Sequence, residues 1–152
     1  MRQKSSQLNG KVLCWLATVD PQGRPNVSPK EVFAQVGLDS WAVANIASPG
    51  TVANIRTNPA VCLAVVDIFT QRGNKYRGTA TIVESSDADF PDLARPLAAI
   101  AGTAFPIKSV ILIRITETED ILAPSYWLCS ETTTEASQTV AALKTYGVKP
   151  LE

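Results

Sequence analysis

Short apolar segments separated by turn sequences run through the chain, and this alternation constrains its fold more than any other feature. The segments are rich in Val, Ile and Thr, which is typical of buried β-strands. Pro, Gly and Asn occupy the turns, as in PQGR at 21–24. We therefore expect a mainly β protein with helices, whose six to seven mostly antiparallel strands close into a small barrel.

The segment boundaries predict the order of the elements. Two segments joined by PQGR are expected to form a hairpin, and four more stretches read as strands, the last of them in two parts: 11–20, 25–36, 40–47, 60–69, 74–84 and 108–128. Gly78 is expected to mark a bulge. About three helices are expected, at 50–58, 87–102 and 132–147. Val140 and Leu143 are expected to face inward on the last of these helices.

Length and charge limit the function classes. A chain of 152 residues suits one domain, here 1–152. Its 14 basic and 14 acidic residues give no net field toward nucleic acid or a membrane surface, so we expect a small-molecule or protein partner. No apolar run reaches the roughly 20 residues that span a bilayer, and the first ten residues lack the apolar centre of a secretory signal. A cytoplasmic location is expected.

The absence of histidine narrows the chemistry. It removes the commonest metal ligand and the usual general base, so no metal site is expected and no catalytic residue can be named. Cys14, Cys62 and Cys129 are far apart in sequence, and we interpret them as reduced packing residues. Any chemistry is therefore expected to depend on a bound cofactor.

The stretch SPGTVANIRTNP at 48–59 reads as the start of a short helix. A helix start presents free N–H groups and a partial positive charge, which suit a phosphate. Ser48 and Thr51 can equally be simple N-caps. The sequence alone does not distinguish a phosphate site from a simple N-cap.

The resemblance of this chain to a known family rests on four short sequence segments in a fixed order. The hairpin LATVDPQGRPNVSPKEV precedes the strand WAVANIAS, the helix GTVANIRTN and the strand AVCLAVVD. This arrangement resembles the pyridoxamine 5'-phosphate oxidase-like family, the FMN-binding split β-barrels. The likeness is good over residues 12–84 and looser beyond them.

The resemblance implies a homodimer with two FMN sites at the subunit interface. It places one strand beside the flavin ring, a second near the ring and ribityl chain, and the phosphate at the helix start; the matching residues are Val27, Ser28, Pro29 and Lys30, then Asn45 and Ile46, then Ser48, Gly50, Thr51 and Val52. Arg77 lies on a strand that often contributes near the flavin. Tyr126 and Trp127 precede the last helix, where relatives reach the other subunit's flavin.

Lys30 and Thr51 are the two informative positions in this set. A cation at Lys30 would stabilise the negative charge of reduced flavin, although a strand-end lysine can also be merely solvated. Many relatives carry a cation where this chain has Thr51. Backbone amides together with another cation, such as Arg56, Lys75 or Arg77, must then complete the site, or flavin is held weakly.

The expected function is an FMN-dependent oxidoreductase that passes hydride or electrons from a reduced nicotinamide or another donor to a small acceptor. The alternatives are a flavin carrier or sensor, or a cofactor-free interaction module. The chain has neither the Arg-Leu-Xaa-Pro signature nor the histidine that the true oxidase requires. Missing histidine also disfavours a haem-handling relative.

Overall fold

The computed structural model describes residues 11–150. It contains seven strands, which are β1 Cys14–Val19, β2 Pro25–Lys30, β3 Phe33–Gly37, β4 Ser40–Asn45, β5 Ala60–Asp67, β6 Arg72–Glu84 and β7 Ser109–Leu122. Its four helices are α1 Pro49–Thr57, α2 Phe90–Ala101, α3 Ser125–Leu128 and α4 Glu135–Tyr146. The expectation about a secretory signal in the first ten residues falls outside this range.

All seven strands belong to one antiparallel sheet in the order β2-β1-β5-β6-β7-β4-β3. The two end strands, β2 and β3, are consecutive in the chain and are joined by Glu31 and Val32. No ladder pairs β2 with β3 within residues 11–150. The predicted closed barrel is therefore corrected to a split one, as the family resemblance implied.

The main core lies on the inner face of this sheet, and a second cluster lies on the outer face under α2, since its members Ala42 and Ala44 alternate along β4 with the inward side chains. One cluster collects inward side chains of β1, β4, β5, β6 and β7, and Ile55 of α1 packs into it. A second cluster places Leu97 of α2 against β4 and β7. Helix α1 is thereby fixed by its buried face, which orients its first turn toward β2.

Two strand predictions are wrong in their boundaries. Residues 25–36 form two strands, because the chain bends at Glu31 and Val32 to leave one sheet edge for the other. The stretch 108–128 forms one strand and a short helix, because the long β6 pairs with β7 as far as Leu122. The bulge at Gly78 is confirmed by the register shift there, where a Cβ would lie 1.9 Å from the Arg114 carbonyl oxygen.

Side-chain directions near the C-terminus also differ from expectation. Val140 is 67% exposed, and Ala142 is the buried residue of α4. Cys14 is buried as predicted, whereas Cys129 is exposed and does not pack in the core. The spacing of Val140 and Leu143 did not predict which face of α4 is buried, because the buried residue is Ala142, whose small side chain adds little to a hydrophobic pattern.

Within residues 11–150, no helix combines the length and the apolar composition needed to cross a membrane.

Candidate functional site

The start of α1 leaves its own N–H groups without a side-chain cap. Ser48 occupies the N-cap position, yet its hydroxyl accepts no hydrogen bond from the helix amides. Pro49 opens the helix, and its first turn contains no acidic residue. The Ser48 amide donates to Asn45 Oδ1 at 3.2 Å, which fixes the entry of the chain. The positive end of the helix dipole is therefore unbalanced by its own sequence.

Lys30 points at this helix start from the last position of β2. In the β1–β2 ladder it lies opposite Cys14, and both side chains face the barrel interior. Lys30 is 7% exposed, and its Nζ donates to Ser48 Oγ at 2.5 Å. Burial lowers the pKa of the Lys30 amine from its ordinary value, an effect that the nearby Cys14 opposes. A cation thus lies beside the positive end of a helix.

Cys14 is the buried group that faces Lys30 from β1. Burial raises the pKa of its thiol to about 12, although Lys30 acts in the opposite direction. The thiol is therefore neutral at physiological pH, and Cys14 does not compensate the charge of Lys30.

Hydroxyl groups extend the polar surface from Lys30 along α1. The hydroxyls of Ser28 and Thr51 lie 3.2 Å apart, and Thr51 is 3% exposed. One turn further along α1, Asn54 Nδ2 donates to the buried Thr18 Oγ1 at 3.0 Å. These bonds tie the first two turns of α1 to β1 and β2.

A cavity of about 820 Å³ adjoins this helix start. It lies between β1, the β2–β3 bend, the end of β4 and the end of α2, and Lys30 and Ser48 are part of its wall. Its other lining residues are mainly apolar: Lys11, Val12, Leu13, Trp15, Pro29, Glu31, Val32, Phe33, Ala44, Ile46, Ala47, Ile100, Ala101 and Phe105. Its size and apolar walls are typical of a small-molecule site.

The structure brings most of the predicted site residues together around α1. Pro29, Lys30, Ile46 and Ser48 line the cavity. Asn45 is bonded to Ser48, and Ser28 and Thr51 are bonded to each other at the start of α1. Gly50 is exposed in the first turn of α1, and a Cβ there would meet no atom within 4 Å.

Two members of the predicted set point elsewhere. Val27 is 57% exposed on the same face of β2 as Pro29, but it lies beyond the cavity and does not line it. Val52 is buried, and its amide already donates to the Ser48 carbonyl oxygen at 3.2 Å.

Arg77 and Trp127 are not brought to this cavity. The Arg77 guanidinium lies 2.9 Å from Glu117 and 3.1 Å from Glu119, on an exposed face of β6 and β7. Trp127 is 63% exposed on α3, where its neighbour Tyr126 donates to the Thr70 carbonyl oxygen at 2.7 Å. Neither residue lines the cavity.

The cavity also has walls that the sequence patterns did not predict. Trp15, Ile100 and Phe105 line it and remain 46%, 48% and 56% exposed. An outward Trp within a strand was a detectable signal for Trp15. Ile100 recurs at helical spacing with Leu93 and Leu97, a pattern that is typical of a core-facing residue, and Phe105 lies in a loop without periodicity.

The fold is a split antiparallel barrel with a largely apolar cavity beside the uncapped start of α1. The pyridoxamine 5'-phosphate oxidase family model matches residues 2–122, which is most of the chain. The chain therefore belongs to this family. None of the curated proteins matches it.

Solved structures of low sequence identity share the fold. HupZ from Group A Streptococcus is 23% identical, covering 76% of this chain and 89% of that chain, with a TM-score of 0.66. An FMN-binding protein from Syntrophomonas wolfei subsp. wolfei is 17% identical over 75% and 80% of the two chains, with a TM-score of 0.65. HutZ, the heme storage protein from Vibrio cholerae, is 20% identical over 74% and 86%, with a TM-score of 0.59.

Proposed function

We propose that the protein binds FMN in this cavity and acts as an FMN-dependent oxidoreductase. The observation that carries the proposal is an uncapped helix start, with buried Lys30 beside it, at the edge of a large apolar cavity. The helix start suits a phosphate ester, and the apolar walls suit a planar ring system. FMN combines both groups, and the fold is shared with a protein described as FMN-binding.

Different residues around α1 would contact the phosphate and the ring of FMN. The amides of Gly50 and Thr51, the Ser48 hydroxyl and Lys30 suit the phosphate. Pro29 and Ile46 on the cavity wall suit the apolar ring. Asn45 positions Ser48 through its side-chain oxygen and would act indirectly.

Bound FMN would supply the hydride and electron transfer that this chain's own side chains do not provide. Among the cavity-lining residues Glu31 is the one carboxylate, and the chain has no histidine. The protein would therefore hold the cofactor, orient a small substrate and exclude water. A flavin carrier or sensor needs the same cavity, so turnover has to be measured rather than inferred from binding.

We further propose a homodimer in the cytoplasm. Val12, Trp15 and Phe105 are exposed apolar residues at the cavity, and a second subunit would cover them. Light scattering of the purified protein at micromolar concentration tests the dimer. A monomeric mass with bound flavin would reject the dimer and keep the flavin site.

The absorption spectrum of the purified protein, before and after addition of FMN, tests the cofactor. We expect bound flavin absorbance that is released as FMN on denaturation. Failure to bind FMN would reject the proposal and favour the interaction module. Bleaching by NADH or NADPH without oxygen supports the oxidoreductase, whereas a bound flavin that no donor reduces favours the carrier or sensor.

Haem is the competing cofactor, because a neighbour in fold is described as a heme storage protein. The chain has no histidine to serve as an axial ligand. A haem titration under the same buffer conditions is the matched control, and we expect no specific Soret shift at stoichiometric haem.

A further inference from the structure

The basic side chains that could complete a phosphate site differ in whether an acid already neutralises them. Arg56 lies 2.5 Å from Glu84, and Lys75 lies 2.8 Å from Glu119. Arg77 contacts two glutamates on the same face. By contrast, Lys30 forms no ion pair within residues 11–150.

An uncompensated buried cation is costly, because it loses hydration without gaining an opposite charge. The surroundings of Lys30 increase this cost. Its hydrogen-bond partner Ser48 is neutral, its cross-strand neighbour Cys14 is neutral, and the nearby start of α1 carries partial positive charge. A bound anion would relieve all of these unfavourable terms together.

Thr51 occupies the helix position where the family resemblance places a cation. Its side chain is 3% exposed and its hydroxyl is directed at Ser28, 3.2 Å away. The helix therefore contributes amides and a hydroxyl but no charged side chain in its first turn. Lys30 reaches the same helix start from the neighbouring strand, at Ser48.

We infer that Lys30 supplies from β2 the positive charge that relatives carry on the helix, and that it selects a phosphorylated flavin over an unphosphorylated one. This inference rests on the proposed function, since it concerns the same ligand. It assigns Lys30 to the phosphate rather than to the flavin ring, and so makes Lys30 a specificity-determining residue.

The test compares the affinities of FMN and riboflavin for the full chain by quenching of flavin fluorescence. In the wild type we expect FMN to bind at least tenfold more tightly. In Lys30→Met we expect FMN affinity to fall about tenfold to 100-fold, the range of one charge-assisted hydrogen bond, with riboflavin affinity unchanged. Lys30→Arg should keep the preference for FMN.

Controls separate this role from a structural one. Lys144→Met changes an exposed lysine in the last turn of α4 and should leave both affinities unchanged. If Lys30→Met fails to fold by circular dichroism, Lys30→Gln keeps a polar chain of similar length and replaces it. The midpoint potential of bound FMN in the variant should stay near that of the wild type, since the lysine is assigned to the phosphate.

An unchanged preference for FMN in the folded variant would overturn the inference, as would an equal loss of both flavins. If Lys30→Met lowers the midpoint potential of bound FMN but leaves the FMN affinity unchanged, the inference is also overturned, because Lys30 then acts at the flavin ring. Wild-type protein that binds neither flavin would instead reject the proposed function itself.

Discussion

Helix α4 begins with a reciprocal cap: Thr134 Oγ1 accepts from the Ser137 amide at 3.1 Å, and Ser137 Oγ accepts from the Thr134 amide at 2.9 Å. Glu135 adds an acid to its first turn. Helix α1 has neither a side-chain cap nor an acid at its start, and it faces buried Lys30 instead. The start of α4 is capped by its own side chains, whereas the amides and the dipole at the start of α1 have no side-chain partner.

The largest expected effect concerns Cys14, the buried neighbour of Lys30. Because its pKa is raised from 9.0 to about 12, the folded state keeps a proton that the unfolded state loses. Folding stability should therefore fall as pH rises from 9 toward 12, by up to about 4 kcal/mol from this group. Urea unfolding at several pH values in this window measures the slope.

Cys14→Ala should flatten that slope, because the titrating group is gone. Cys129→Ala is the matched control near the start of α4, where the thiol is exposed, and should retain the slope. Equal slopes in all three proteins would show that burial beside Lys30 does not govern the alkaline behaviour.

Gly50→Asp should make α1 resemble α4 and thereby close the site. Residue 50 is exposed and has space for a side chain, so the acid can balance the helix dipole without a clash. The same carboxylate would repel a phosphate, and we expect FMN affinity to fall about 100-fold, a cost of about 2.7 kcal/mol. Fluorescence titration measures the affinity.

Gly50→Asn is the neutral control and should bind FMN within a few-fold of the wild type. If the aspartate variant binds FMN as tightly as the asparagine variant, the phosphate does not lie at the start of α1.

Inorganic phosphate should stabilise the wild type in the absence of flavin. At a concentration ten times its dissociation constant, linkage gives about 1.4 kcal/mol, seen as a rise in melting temperature. Lys30→Met and Gly50→Asp should both lose this rise. Equal stabilisation of all three proteins would indicate a general salt effect instead of a site at α1.

Thr134→Ala tests the capped start of α4. Loss of the N-cap should cost about 1 kcal/mol of unfolding free energy, measured by urea denaturation. FMN affinity should not change, because Thr134 does not line the cavity. A loss of FMN binding in this variant would show that α4 contributes to the FMN site, and that the starts of α1 and α4 do not differ in function as expected.

The strand order around α1 could be predicted from sequence because local signals agree there. PQGR specifies the β1–β2 turn, and Asn58–Pro59 ends the helix before β5. The bend at Glu31 and Val32 carries no such signal, since both residues fit an extended strand. It is dictated by sheet topology, which separates β2 from β3.

The partners of the charged side chains could not be predicted either. Alternation along β6 puts Lys75 and Arg77 on one face, but their glutamates come from β7, about 40 residues away in sequence. Lys30 carries no sequence mark that distinguishes it from a solvated lysine. Its burial depends on α1 folding over β2, which is a tertiary effect.

The link at Glu31 and Val32 determines how the size of the cavity can change. Pro29, Lys30, Glu31, Val32 and Phe33 form a continuous part of its wall, where the two ends of the sheet meet without a ladder. The Val32 carbonyl oxygen accepts from the Ala44 amide of β4 at 2.9 Å, so this half of the link is tied to the sheet. Lengthening the link between Lys30 and Val32 would move one cavity wall without breaking that bond or a strand ladder. The split therefore gives the barrel a seam at which the cavity can change in size while the fold stays intact.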